Sequence, residues 1–158
     1  MIYDIETLVY DFDAMLRASL NTEIDAINTE KNDDFSIDQI TTNAFAVQSL
    51  DDVIDNYPNF VFTMINDIQA EGIGPKTSTA FHVLVLIVAS GTANETQSSR
   101  RMFRYGRALK QCFENNWDST AKLPIKLKVE QIPPQDYIDM NATKKFKTVG
   151  ISISGGFV

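Results

Sequence analysis

Four of the five arginines, Arg100, Arg101, Arg104 and Arg107, fall within eight residues, and Lys110 stands directly behind them. Arginine presents a planar fork that grips carboxylates and phosphates at two points, and it is enriched in protein interfaces where lysine is depleted. Lysines outnumber arginines in this chain by nine to five, so the local choice of arginine is not simple composition. The stretch "SSRRMFRYGRALKQCF" asks for something acidic to meet it, in a protein whose own net charge is -7.

Other reactive residue types give weaker signals. "DDVID", Asp51 to Asp55, is spaced like the aspartate-rich motif with which prenyl-diphosphate enzymes hold magnesium. Those enzymes are large helical bundles with a second metal motif and basic diphosphate ligands, which this chain lacks, so a solvated acidic turn is the better reading. His82 is the single histidine, within the apolar run "AFHVLVLIVASG". Without a second imidazole or a nucleophile-elbow pattern it reads as a packed histidine. Cys112 falls on the apolar side of a helical pattern, where cysteine acts as a small hydrophobe. "EGIGPK" lacks the spacing that wraps backbone amides around phosphate and reads as a turn. The expectation is no catalytic residue, no metal and no cofactor: a binding or assembly protein rather than an enzyme.

Length and composition frame this chemistry. A chain of 158 residues, 44% hydrophobic and 22% charged, suits one domain spanning 1–158 with a proper core. One cysteine excludes an internal disulfide framework and a Cys-rich zinc site, which suits a reducing compartment. "MIYDIETLVYDFD" has no basic start and does not read as a secretory signal, so the protein is expected to begin in cytosol. The most apolar run, Ala80 to Gly91, is about half the length of a membrane-spanning helix, so no membrane role is expected. Charge is lopsided: residues 1–55 carry -11 and residues 56–158 carry +4. Such asymmetry serves a partner of opposite sign, or copies of one molecule meeting acidic end to basic end. Nucleic acid fits poorly, because the acidic third repels a polyanion and Phe103 is the only aromatic near the arginine face.

Ile2, Ile5, Leu8, Val9, Phe12, Met15, Leu16, Leu20, Ile24 and Ile27 recur at helical spacing and predict an amphipathic helix of about seven turns. Residues 36–56 read as loop with one or two short helical pieces. "FVFTMI" and "TAFHVLVLIVAS" are strands, the second central because both parities are apolar, with "NDIQAEGIGPKTS" a protruding loop between them. Thr92 and Glu95 have capping-box spacing, so a helix opens near Ala93 and runs to about Trp117. Its apolar stripe is Met102, Gly106, Leu109, Phe113 and Trp117, joined by Tyr105 and Cys112. Arg100, Arg104 and Arg107 fall opposite, with Arg101 and Lys110 at the edges, so reversing the charge of Arg104 and Arg107 is expected to leave the fold intact. "KLPIKLKVEQI" alternates like a strand with one wet face, "IPPQDYIDMNATK" reads as a connecting loop, and "KFKTVGISIS" is a closing strand with Val149, Ile151 and Ile153 inward. The expected class is α+β, with about four largely antiparallel strands and two main helices packed on the sheet.

A long acidic first helix, two strands with a long loop, a basic "RRMFRYGRALKQCFENN" helix, then "LPIKLKVEQI" and "FKTVGISISG" resemble the tail terminator and tail-completion proteins of long-tailed bacteriophages. The resemblance covers nearly the whole chain and rests on size, element order and the style of the arginine helix. It implies a structural virion protein, assembled in host cytoplasm, that forms a ring of typically six copies at the head-proximal end of the tail tube. Such a ring ends tube polymerisation and offers the docking surface for the head connector, with DNA at most a passing cargo. Its implied partners are copies of itself, the tube protein and the connector protein. In such a ring the arginine helix with Lys110 would meet an acidic surface of the next copy, such as one around Asp51, Asp52 and Asp55. The alternatives are a neck or head-completion protein on the portal side, and a cytosolic adaptor binding an acidic protein partner.

Overall fold

A computed structural model of the chain describes residues 5–40, 45–46, 59–64, 70–71, 78–90, 95–117, 128–139 and 144–157. The periodic apolar residues of the N-terminal third form helix α1 (Ile5–Lys31), which buries Leu8, Phe12, Leu16, Leu20, Ile24 and Ile27. It closes at Asn32, whose φ of 43° is left-handed, a conformation asparagine tolerates at a helix end, and whose N–H donates to the Asn28 carbonyl at 3.1 Å. Helix α2 (Glu95–Asn116) carries the arginines.

The strands are β1 (Phe45–Ala46), β2 (Asn59–Met64), β3 (Ala70–Glu71), β4 (Ser78–Ser90), β5 (Lys128–Asp139) and β6 (Lys144–Phe157). They are arranged β1-β2-β4-β6-β5, with β3 also paired to β4. The long strands β4, β6 and β5 run antiparallel, β2 joins β4 antiparallel, and the β1–β2 pair is parallel. The chain is therefore α+β, two helices with an antiparallel sheet, and β4 lies inside the sheet as its apolar run implies.

Register decides which face meets the helices. Val85 lies opposite Ile151 and Ile87 opposite Val149, and all four are fully buried with Ile153 in one cluster with both helices. The alternate positions Leu84, Leu86, Ile132, Ser152 and Ser154 point to the other face and are only half-buried, while Val88 and Thr148 at one end of it are buried. Helix α2 approaches β5 and β6 most closely at Gly106, where an added Cβ would stand 2.7 Å from Gln131 Nε2 and 2.9 Å from Val149 Cγ2.

Three expectations change. "IPPQDYID" is not a loop: β5 continues to Asp139, with a register shift between Ile132 and Gln135 around Pro133 and Pro134. The prolines fit because β5 ends the strand order, and an edge strand at a bulge tolerates residues that cannot donate to a ladder. "NDIQAEGIGPKTS" contains β3, paired as Ala70 with Thr79 and Glu71 with Ser78, and Phe45–Ala46 is strand where loop or helix was expected. Leu123, Ile125 and Leu127 lie outside the described residues; Val129 packs against the core while Lys128 and Glu130 are exposed, so alternation holds where β5 begins.

At Gly150 an added Cβ would run into the Val85 carbonyl oxygen and stand 2.6 Å from Leu86 Cδ2. Gly150→Ala should destabilise the fold by roughly 1–3 kcal/mol, the usual cost of overpacking. Thermal unfolding checks this, and an unchanged midpoint would remove the close approach of β4 to β6.

Candidate functional site

Residues 33–40 leave α1 and return along it as an extended strap. Asn28 Nδ2 donates to the Ile37 carbonyl at 2.9 Å while its Oδ1 accepts from the Ile37 N–H at 2.9 Å. Asn21 repeats the arrangement with Ile40, at 2.8 Å and 2.9 Å. Seven helical residues rise roughly 10 Å, and three extended residues cover roughly 10 Å, so the two spacings match. A helix has no spare backbone groups along its side, and the asparagine amides supply them. Ile37 and Ile40 are buried in the core cluster between these bonds.

The arginines close the strap from the other side. Arg104 donates to the Phe35 carbonyl through Nη1 and to Asp33 Oδ2 through Nη2. Arg100 reaches the same Asp33 oxygen at 2.8 Å, and both guanidinium carbons lie near the Phe35 ring, 5.0 and 5.1 Å from its centroid. Asp33 also accepts from the Phe35 N–H at 3.1 Å, a local turn that aims its carboxylate at the helix. Tyr105 donates its hydroxyl to the Asp38 carbonyl at 2.9 Å. One turn on, the Arg107 fork grips both oxygens of Glu30, at 2.9 and 2.5 Å.

The acid that meets the arginine stripe therefore belongs to the same chain. Arg104 is 6% exposed, which corrects the expectation that it lies clear of the core: the strap and the end of α1 cover that side of α2. Arg100 and Arg107 remain part-exposed at 42% and 36% of their side chains, each with its internal partner. Lys110 is exposed and 3.7 Å from Glu114, one turn along α2. Arg101 is half-buried and has no ion pair among the described residues. Asp51, Asp52 and Asp55 lie outside the described residues. The residues that sequence reasoning did not single out are Asn21, Asn28, Glu30, Asp33 and Phe35. Their signal was two asparagines seven apart inside a strong helix, where asparagine is a poor choice unless its amide is used.

Electrostatics follow the contacts. Asp33 is held below its ordinary 3.8, chiefly by the Arg104 hydrogen bond, and Glu30 below its ordinary 4.5 by that of Arg107. Burial raises the Tyr105 hydroxyl and pushes the Cys112 thiol up to about 12, so neither is poised to ionise near neutral pH. His82 stands opposite Ser154 in the β4–β6 register; its side chain lies outside the described residues. No cluster of three metal-ligating side chains occurs among the described residues, and none of the described helices is long and apolar enough to cross a membrane.

A second feature lies at the far end of the helix pair. A cleft of about 290 Å³ opens between α1 and the end of α2, lined by Asp11, Ala14, Met15, Ala18, Ser19, Asn116 and Trp117. Its wall is fixed by Phe12, whose ring packs 5.2 Å from that of Phe113 and 4.7 Å from that of Trp117.

Compared with known proteins, the chain matches no protein-family model, and no curated protein is similar to it.

Arg104→Ala should cost roughly 2–4 kcal/mol, because it strips the Phe35 carbonyl of its donor and opens a buried contact. That corresponds to a midpoint lower by roughly 5–15 °C. Arg107→Ala should move the midpoint far less, and equal effects would refute the distinction between buried clamp and surface pair. The charge reversal Arg104→Glu is now expected to break the strap. Because both carboxyls titrate lower in the folded chain than unfolded, their stabilisation is full above the ordinary carboxylate range and is lost as pH falls through their folded values. Hydrogen exchange on the Ile37 and Ile40 amides should accelerate once the pH falls below the ordinary carboxylate range, before α1 opens. Simultaneous release of strap and helix would contradict this.

Proposed function

We propose that this chain is a structural subunit of a virion tail, assembling as a ring on the end of the tail tube to stop its growth and to present a docking surface for the head connector. Support comes from the resemblance in element order to tail terminators and from the α+β architecture. The observation that carries the reading is the two-sidedness of the molecule. Both helices cover one face of the sheet, while the other face keeps half-buried Leu84, Leu86 and Ile132 beside Ser152 and Ser154. Two chemically different outer surfaces are what a subunit needs to meet two neighbours in a closed ring, since a head-to-tail contact joins unlike patches.

The arginine helix takes a different part in this reading from the one its sequence implies. Arg100, Arg104 and Arg107 hold the subunit together. Ring contacts are then left to side chains with no such duty.

The test is to add purified protein to tail tubes of its own virus and to growing tube protein, with electron microscopy of the ends. Capped ends and shorter tubes are expected. Binding to portal-bearing heads alone would move the protein to the neck, and binding to neither would end the virion reading.

A further inference from the structure

We infer that neighbouring copies are joined head to tail by Phe103 of one copy seated in the cleft beside Trp117 of the next; this rests on the ring-forming reading above. Phe103 is 60% exposed, although it sits on a helix whose Met102, Arg104, Tyr105, Ala108, Leu109, Cys112 and Phe113 are all buried. The solvent-facing strip of α2 is narrow, and an aromatic ring occupies its middle. Buried aromatic anchors in pockets carry most of the energy of protein interfaces, so an exposed ring and an open cleft on one molecule are natural complements.

The cleft has the size and lining to receive it. Ala14 and Ala18 leave space within its 290 Å³, Met15 offers an adaptable thioether, and Trp117 an aromatic wall. Tyr10, 65% exposed, stands one helical turn before Ala14, at the same side of α1. Charge agrees. From Ile5 to Asp25 the cleft-bearing stretch of α1 holds five acids and one base, with Asp11 in the lining. From Glu95 to Asn116 the helix that carries Phe103 holds five bases and two acids. Beside Phe103, Arg100 and Arg104 share the single carboxylate of Asp33, which leaves one positive charge over, while Arg107 is paired with Glu30 and Lys110 stands 3.7 Å from Glu114. The acidic cleft and the surplus guanidinium charge beside the ring steer the encounter and disfavour like meeting like.

Geometry makes the contact intermolecular. Phe103 and Trp117 are separated by 14 residues of α2, roughly 21 Å along the helix axis, so a chain cannot fill its own cleft. Knob and cleft at separate places on one helical layer form a contact between unlike patches, which propagates until rotation closes it.

The experiment compares solution mass by light scattering, across concentration, for the wild type, Phe103→Ala, Ala18→Trp and an equal mixture of the two variants. Phe103→Ala removes the knob and Ala18→Trp fills the cleft; both positions are exposed, and circular dichroism confirms folding. Should Ala18→Trp misfold, Ala14→Trp fills the same space. The wild type should assemble, and each variant alone should associate roughly thirtyfold more weakly or worse, the mark of a hot-spot residue. The mixture should stop at a heterodimer, because it retains one working knob and one working cleft per pair. Variants that assemble like the wild type would overturn the contact while leaving the ring reading to the tube-capping test. A wild type that stays monomeric, or a mixture without heterodimer, would overturn it as well.

Discussion

A helix covered on two sides must bring its own counter-charges, and α2 is such a helix. Met102, Tyr105, Ala108, Leu109, Cys112 and Phe113 are all buried in the cluster that also holds α1 and the sheet, which leaves little perimeter for water. The guanidinium of Arg104 is drawn into that covered region, so the fold is possible only where anion and carbonyl acceptors reach it. Asp33 and Phe35 do so, and their position is fixed by where α1 ends. The left-handed turn at Asn32 thus has consequences well beyond the helix terminus, because it directs the strap toward Arg104 instead of into solvent.

The strap shows how an irregular segment is made specific without secondary structure. Eight residues carry a backbone that would leave donors and acceptors unsatisfied against a helix. Asn21 and Asn28 answer Ile40 and Ile37, Tyr105 answers Asp38, and Arg104 answers Phe35. Each partner is a side chain reaching from a rigid helix, so the strap holds one register. Slipping it by one residue would pair every amide with the wrong group and turn Ile37 and Ile40 out of the core together. Gln39 adds a further bond at the rim, to Asp25 at 2.7 Å.

Periodicity made the two helices, β4 and β6 legible, because each has one apolar face repeated over many residues: Leu8 to Ile27 at helical spacing, and Val149, Ile151 and Ile153 in alternation. The full length of β5 is hidden in the sequence because Pro133 and Pro134 announce a loop, and only tertiary position reveals that they sit on an edge where a missing donor is harmless. The arginine stripe by its composition needs an acid, and the sequence does not show that Asp33 and Glu30 of the same chain reach it. Helical-wheel reasoning allows one covered face; burial of a second face by α1 and the strap depends on how two distant segments dock, which spacing alone does not encode. The acidic cluster at Asp51 to Asp55 draws attention by density and lies outside the described residues, whereas Asp33 and Glu30, which meet the arginines among the described residues, are scattered and gain meaning from geometry.

The same internal pairing changes what the charge asymmetry means. An N-terminal third at -11 and a remainder at +4 look like two poles that demand an external partner. Part of that separation is closed within the chain, where the end of α1 and the strap meet α2 through Asp33 and Glu30. What persists is an acidic excess along α1, where Ile5 to Asp25 holds five acids and one base, and a surplus guanidinium charge where Arg100 and Arg104 share Asp33. Salt weakens whatever attraction these charges supply, so the exposed aromatics Tyr10 and Phe103 determine whether a meeting of two copies is tight enough to persist.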